Sequence, residues 1–198
     1  MTTHFDTDWF SYAIKNFEAT RDAIGPIKNI LEIGVYQGRS TCWMLENMLD
    51  DQGHITCIDP FFEGDPTPGF EFADVVKNTE RERLFRSNVA KTKKDTQTIS
   101  IMVDRSYNAL AQLIVAKKQY DFIYVDGNHG AQAVLADACM CYGLLRVGGV
   151  MLFDDYLWDH EPIHHDRPKM SVDSFVNMFA RQVRPFLINY QLAVVKIA

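Results

Sequence analysis

Residues 120–155 read YDFIYVDGNHGAQAVLADACMCYGLLRVGGVMLFDD. Two apolar runs, 120–126 and 149–155, each end in aspartate, and a helix-periodic stretch over 131–145 separates them. Runs this continuously apolar belong to strands buried on both faces, as in a parallel sheet covered by helices. If the two strands are neighbours, Asp126, Asp154 and Asp155 meet at one edge of the sheet.

The same alternation extends outward in both directions. Residues 29–35 (NILEIGV) read as a buried strand, 36–38 as a turn and 40–49 as a helix. Strands follow at 54–59 (HITCID, stopped by Pro60) and 98–104 (TISIMVD), the latter leading to a helix over 107–117. Near the C-terminus a helix is predicted over 172–183, then two short strands at 186–189 and 191–197. Strands so close in sequence must pair as an antiparallel hairpin, because a parallel crossover needs a dozen or more residues. The pattern predicts a doubly wound α/β fold: a mostly parallel, seven-stranded sheet with a C-terminal antiparallel hairpin and helices on both faces. Residues 1–198 form a single domain in this reading, with 1–28 as a helical cover (helix over 8–24) and 29–198 as the Rossmann-like core. Two segments fall outside the repeat. Residues 61–70 (FFEGDPTPGF) are a Gly- and Pro-rich loop, and 157–170 a second loop, whose stretch 159–166 is expected to be a polar lid.

Composition narrows the function classes. The chain has 198 residues, 47% of them hydrophobic and 23% charged, with a formal net charge of −6. That balance gives no general attraction to nucleic acid or to an anionic membrane. The short basic cluster from Lys91 to Lys94 lacks interleaved aromatics and reads as a solvated loop. Of the four cysteines, Cys139 and Cys141 stand two apart on a helix and face different ways, so reduced thiols are the plain reading. The N-terminus carries no signal-peptide pattern and no run is long enough to span a bilayer, so a cytoplasmic location is expected.

In open α/β sheets the ligand binds beyond the carboxyl ends of the strands, near the switch point. The first strand ends Glu32-Ile33-Gly34-Val35-Tyr36-Gln37-Gly38, where two small residues let the backbone approach a ligand and a helix starting near Ser40 aims free N–H groups at it. The Gly-x-x-x-Gly spacing differs from the Gly-x-Gly-x-x-Gly of dinucleotide enzymes and counts against a nicotinamide oxidoreductase. Asp59, at the end of the second strand, can accept ribose hydroxyls; a merely solvated acid is the bland alternative. Asp104-Arg105-Ser106 closes the third strand where a purine would lie, or Asp104 or Ser106 simply caps the next helix. Three carboxylates from Asp126, Asp154 and Asp155 would repel one another by a few kcal/mol per close pair at an effective dielectric near 20. Oxygen ligands of this kind suit Mg²⁺, Ca²⁺ or Mn²⁺, unless the acids cap helices or pair with Arg39 or Arg105. His129 would sit beside such a metal as a base, or be polar surface only.

The segments ILEIGVYQGRST (30–41), CIDP (57–60), DFIYVDGNHGAQAVLADACMCYGLLRVGGVMLFDDY (121–156) and PKMSVDSF (168–175) together resemble class I S-adenosylmethionine-dependent methyltransferases of the methyltransferase 24 family. The resemblance covers roughly residues 29–198, and its Asp-Gly-x-His…Asp-Asp-Tyr part is the specific one. It implies that Glu32, Gly34 and Gly38, with Tyr36, Ser40 and Asp126 near them, border the methionine part of the cofactor. It likewise implies that Asp59 holds the ribose and that Ser106 lies by the adenine. Similar metal-dependent O-methyltransferases place metal carboxylates where this chain has Asp126, Asp154 and Asp155. The catechol type has a lysine base where this chain has His129. The expectation is therefore metal-dependent O-methylation of a small hydroxylated acceptor, a sugar or a phenol, with Asp126 and His129 as catalytic residues. Two rivals remain: a metal-independent methyltransferase, and a non-catalytic cofactor-binding module. The N-terminal helix and the C-terminal hairpin could serve a homodimer.

Overall fold

The computed structural model describes residues 2–62, 79–160 and 163–198. A single 3₁₀ turn at Ser11–Ala13 leads into α1 (Ile14–Ile24), which ends at Gly25 in a left-handed-side conformation, φ 81°. Then come β1 (Ile27–Ile33), α2 (Arg39–Asn47), β2 (Leu49–Ile58), α3 (Thr79–Thr92), β3 (Thr98–Met102), α4 (Ser106–Val115), β4 (Tyr120–Val125), α5 (Ala131–Leu144) and β5 (Leu145–Phe153). A 3₁₀ turn at His164–Asp166, α6 (Pro168–Met178), β6 (Val183–Ile188) and β7 (Leu192–Lys196) complete the order.

Among the described residues the sheet has seven strands in the order β3-β2-β1-β4-β5-β7-β6. β1 pairs in parallel with both β2 and β4, so the order reverses at β1/β4, and β7 runs antiparallel between β5 and β6. The expected fold class holds. The strands earn their places by alternation, since successive side chains point to opposite faces. Ile30, Ile55, Phe122, Tyr124, Val150 and Leu152 pack on one face with Phe17 of α1 and Met44 and Leu45 of α2. Leu31, Ile33, Ile123, Val125, Met151 and Phe153 pack on the other with Leu110, Ala138 and Phe175 of α4, α5 and α6. Apolar on both sides, the central strands leave only their ends for chemistry.

Several boundaries differ from expectation for identifiable reasons. The helix α3 was not foreseen: in TERERLFRSNVAKT only Phe85, Asn88 and Val89 are buried, too few apolar positions to show a helical stripe. Lys91 is therefore in the last turn of a helix, and not in the loop expected for the whole basic cluster. Helix α6 begins four residues early, with Pro168 at its first turn, where a missing N–H costs nothing. Strand β6 starts at Val183 and takes in Pro185, tolerated because β6 is the sheet's edge. The expected loop 61–70 lies, beyond Phe62, outside the described residues, as do 161 and 162 of the expected lid. Cys42, Cys57 and Cys141 are buried, Cys139 is exposed, and all four are free thiols. No helix among the described residues is long and apolar enough to cross a membrane.

Candidate active site

One hydrogen bond per strand end lines up the motif residues along a single edge. The Asp59 N–H donates to Met102 O (3.2 Å), Gly34 N–H to Ile58 O (2.9 Å), Asp126 N–H to Ile33 O (2.8 Å) and Asp154 N–H to Val125 O (2.9 Å). Asp59, Gly34, Asp126 and Asp154 thus occupy successive strand ends. With neighbouring strands about 4.8 Å apart, Asp59 and Asp126 are separated by about 10 Å, with the β1 turn between them.

That turn is set by its own packing. Gly34 has φ 80°, and a Cβ there would lie 1.8 Å from the Asp126 carbonyl oxygen. Gly38 has φ 84°, and its Cβ would press on the Phe85 ring at 2.8 Å. Both glycines are thus required by close approach of the chain to itself, in a backbone region open to few other residues. Asp59 Oδ2 accepts the N–H groups of Val35 (2.9 Å) and Tyr36 (3.0 Å), and Oδ1 accepts that of Phe61 (2.6 Å). Three of its roughly four acceptor positions are filled. Tyr36, at φ 47°, holds its ring 5.1 Å from that of Trp9, with the Arg81 guanidinium 4.6 Å over it.

Glu32 lies behind the turn, fully buried, where Ser40 Oγ donates to Oε1 and Thr41 Oγ1 to Oε2 (2.5 Å). Burial pushes its carboxyl up to about 7, against the pull of those two hydroxyls. Ser40 is therefore spoken for by Glu32. Ser106, first residue of α4, bonds the buried Asp137 carboxylate, which burial raises to about 6.

At the β4 and β5 ends the three carboxylates gather. Asp126 is held well above the usual carboxylate range, first by burial and then by the charges of Asp154 and Asp155. Asp155 has φ 52°, a left-handed conformation that aspartate tolerates better than most. One carboxylate oxygen each from Asp126 and Asp155 and one ring nitrogen of His129 fall within 4.8 Å of one another. His129 Nε2 is 3.0 Å from Asp155 Oδ2, and its ring stacks on Trp158 at 5.0 Å.

Asp154, expected to complete that set, is engaged elsewhere. Its carboxylate accepts from the hydroxyl of Tyr12 (2.8 and 3.0 Å), from that of Tyr124 (2.7 Å) and from the Gln191 amide (2.8 Å). Asp155 in turn accepts from the Tyr190 hydroxyl (3.0 Å). Burial and the neighbouring carboxylates raise all three phenols above their ordinary range, so they remain neutral donors. These donors were not foreseen. For Gln191 a signal existed: in the antiparallel β5/β7 pair Phe153 faces Leu192, which puts Gln191 opposite Asp154. For Tyr12, 142 residues away, there was none.

Comparison with known proteins accords with this geometry. A methyltransferase-domain family model, methyltransferase 24, matches residues 31–156. The chain belongs to this methyltransferase-domain family. It is 28% identical over 128 residues to an uncharacterized protein of Acanthamoeba polyphaga mimivirus; the match spans 64% of this chain and about half (50%) of that relative. Among solved structures, an O-methyltransferase from Bacillus cereus in complex with SAH superposes with a TM-score of 0.67 at 18% identity, over 98% of this chain and 84% of that one. The O-methyltransferase TomG of Streptomyces achromogenes, involved in tomaymycin synthesis and in complex with SAM, gives 0.62 at 17% identity, over 92% and 78%. A Corynebacterium glutamicum protein gives 0.64 at 16%, over 95% and 82%.

Proposed function

We propose that the protein transfers the methyl group of S-adenosylmethionine to a hydroxyl of a small molecule, with a divalent cation at the β4/β5 end. The observation that carries this reading is the convergence of Asp126, Asp155 and His129 beside the β1 turn. Bound, S-adenosylmethionine would supply an electrophilic methyl on sulfonium sulfur; of two solved structures of the same fold, one is named with SAM and the other with SAH. The turn from Gly34 to Gly38 forms the floor for its methionine part, and Asp59 keeps one acceptor position for a ribose hydroxyl while it holds the turn in shape. Ser106, fixed by Asp137, stands at the purine side; Glu32 and Ser40 support the turn from behind.

Hard oxygen donors from Asp126 and Asp155, with Asp154 as the third carboxylate, suit Mg²⁺. Asp126 and Asp155 would hold a cation whose chemistry there would be to lower the pKa of an acceptor hydroxyl. In this reading His129 takes the hydroxyl proton; its Nε2 now donates to Asp155, so the imidazole must leave that pair and present an unprotonated nitrogen to the acceptor. Stacking on Trp158 fixes the imidazole plane, and much of the rate then comes from positioning. The acceptor in this reading is a small phenol or sugar, and an O-methyl product matches the name O-methyltransferase carried by two structures of similar fold.

A second reading has its own support. The three donors on Asp154 and the His129–Asp155 pair together offset much of the cluster's charge without a metal, which suits carboxylates acting as hydrogen-bond acceptors for a sugar. Methyl transfer assayed against a panel of phenols and sugars, with Mg²⁺ or after full chelation, separates the two. Turnover lost on chelation and restored by Mg²⁺ supports the first; undiminished turnover supports the second.

A further inference from the structure

The Asp154 carboxylate has about four acceptor positions, and three donors take about three of them: Gln191 donates to Oδ1, Tyr124 to Oδ2, and the single Tyr12 O–H is shared between Oδ1 and Oδ2. The Tyr12 hydroxyl, within 3.0 Å of both oxygens, stands where a cation held by both would lie, so while it stays Asp154 has at most one lone pair to offer. Two of these donors cannot easily leave. Tyr124 is 1% exposed inside the sheet, and Gln191 is fully buried beside β7. Tyr12 differs. It sits in the single 3₁₀ turn ahead of α1, is 51% exposed, and holds its ring edge-on against Tyr190 at 5.4 Å. Its neighbours Phe10 and Ala13 are 5% and 0% exposed, so the segment stays docked if the Tyr12 side chain alone turns outward.

We infer that Tyr12 is a positioning residue that competes with the cation for Asp154. This rests on the metal-dependent reading above. With Tyr12 inward, Asp154 offers at most one lone pair beside Asp126 and Asp155; with Tyr12 outward, both its oxygens are open to the cation. The N-terminal segment thereby sets how many carboxylate oxygens the cation meets and so how tightly it is held. By linkage, whatever displaces Tyr12 must strengthen cation binding, and the cation must displace Tyr12 to the same degree.

The sign of the effect separates competition from a merely structural role, which would loosen the site on removal. Mn²⁺ binding is measured by electron paramagnetic resonance on the wild type and on Tyr12→Phe, both with S-adenosylhomocysteine present. Tyr12→Phe keeps the ring packing and removes the donor. The expected result is binding about tenfold tighter in Tyr12→Phe, the scale of one hydrogen bond to a charged group. Equal or weaker binding overturns the inference while leaving the metal-dependent reading in place. Mn²⁺ binding by neither protein, with S-adenosylhomocysteine bound, overturns both. A second measurement uses the wild type labelled with 3-fluorotyrosine, the Tyr12 resonance being the one lost on Tyr12→Phe or Tyr12→Leu. Mg²⁺ should move that fluorine resonance toward its solvent-exposed position, and a resonance unmoved at saturating Mg²⁺ counts against displacement.

Discussion

The carboxylate of Asp59 accepts the N–H groups of both Val35 and Tyr36, at 2.9 and 3.0 Å, so the end of β2 shapes the turn that follows β1. An acid expected only to touch a ligand also builds the surface that receives it. Asp59→Ala leaves three main-chain donors without this acceptor, at about 1–3 kcal/mol each where they remain buried. A drop in chemical-denaturation midpoint and at least tenfold weaker S-adenosylhomocysteine binding are expected together. Affinity lost at unchanged stability would assign Asp59 to the ligand alone.

Gly34 should tolerate no side chain. Gly34→Ala places a Cβ 1.8 Å from the Asp126 carbonyl oxygen, at φ 80°. The β1 and β4 ends would have to part, at a cost on the order of 3 kcal/mol or more. The expected outcome in thermal unfolding is a fall in Tm of roughly 6 °C or more for a chain of this size. A Tm within about a degree of wild type would contradict the close approach.

Glu32 predicts a pH dependence of stability opposite to that of an ordinary salt-bridged acid. Its carboxyl sits at about 7 in the folded state against 4.5 for the free side chain, raised by burial. Between those values the folded state holds a proton that the unfolded chain releases. Stability from this group therefore falls as pH rises from 4.5 to 7, and the loss is complete above 7. Glu32→Gln removes the titration, so its stability relative to wild type should rise across that window by about 3 kcal/mol, at 1.36 kcal/mol per pKa unit. Urea unfolding at pH 4.5, 6 and 8 measures it; parallel curves would contradict it.

His129→Ala distinguishes base from ligand. As the base, its loss lowers turnover about 10²–10⁴-fold, with Mn²⁺ affinity within about threefold of wild type. A collapse of Mn²⁺ affinity would instead make the imbidazole a ligand, which its place within 4.8 Å of the Asp126 and Asp155 oxygens allows.

Much of the fold was legible because parallel strands buried on both faces leave an unmistakable apolar run, and each run here ends in the residue that matters: Gly34, Asp59, Asp126, Asp154. What escaped was what has no period. Helix α3 buries three residues of fourteen and reads as polar chain. Tyr12, Tyr190 and Gln191 reach the carboxylates from elements far off in sequence, through the docking of the N-terminal segment and the β6–β7 turn. Glu32 and Ser40 were expected near the cofactor on the strength of the motif; that they also bond each other, with Thr41 on the second Glu32 oxygen, was not readable from it.

The most direct test of the account is calorimetric titration of S-adenosylhomocysteine into the protein, with and without Mg²⁺. Micromolar binding, with added heat at one Mg²⁺ per chain, is the result predicted for a cofactor on the β1 turn beside a carboxylate-held cation. Absence of S-adenosylhomocysteine binding under both conditions would contradict the assignment of the site.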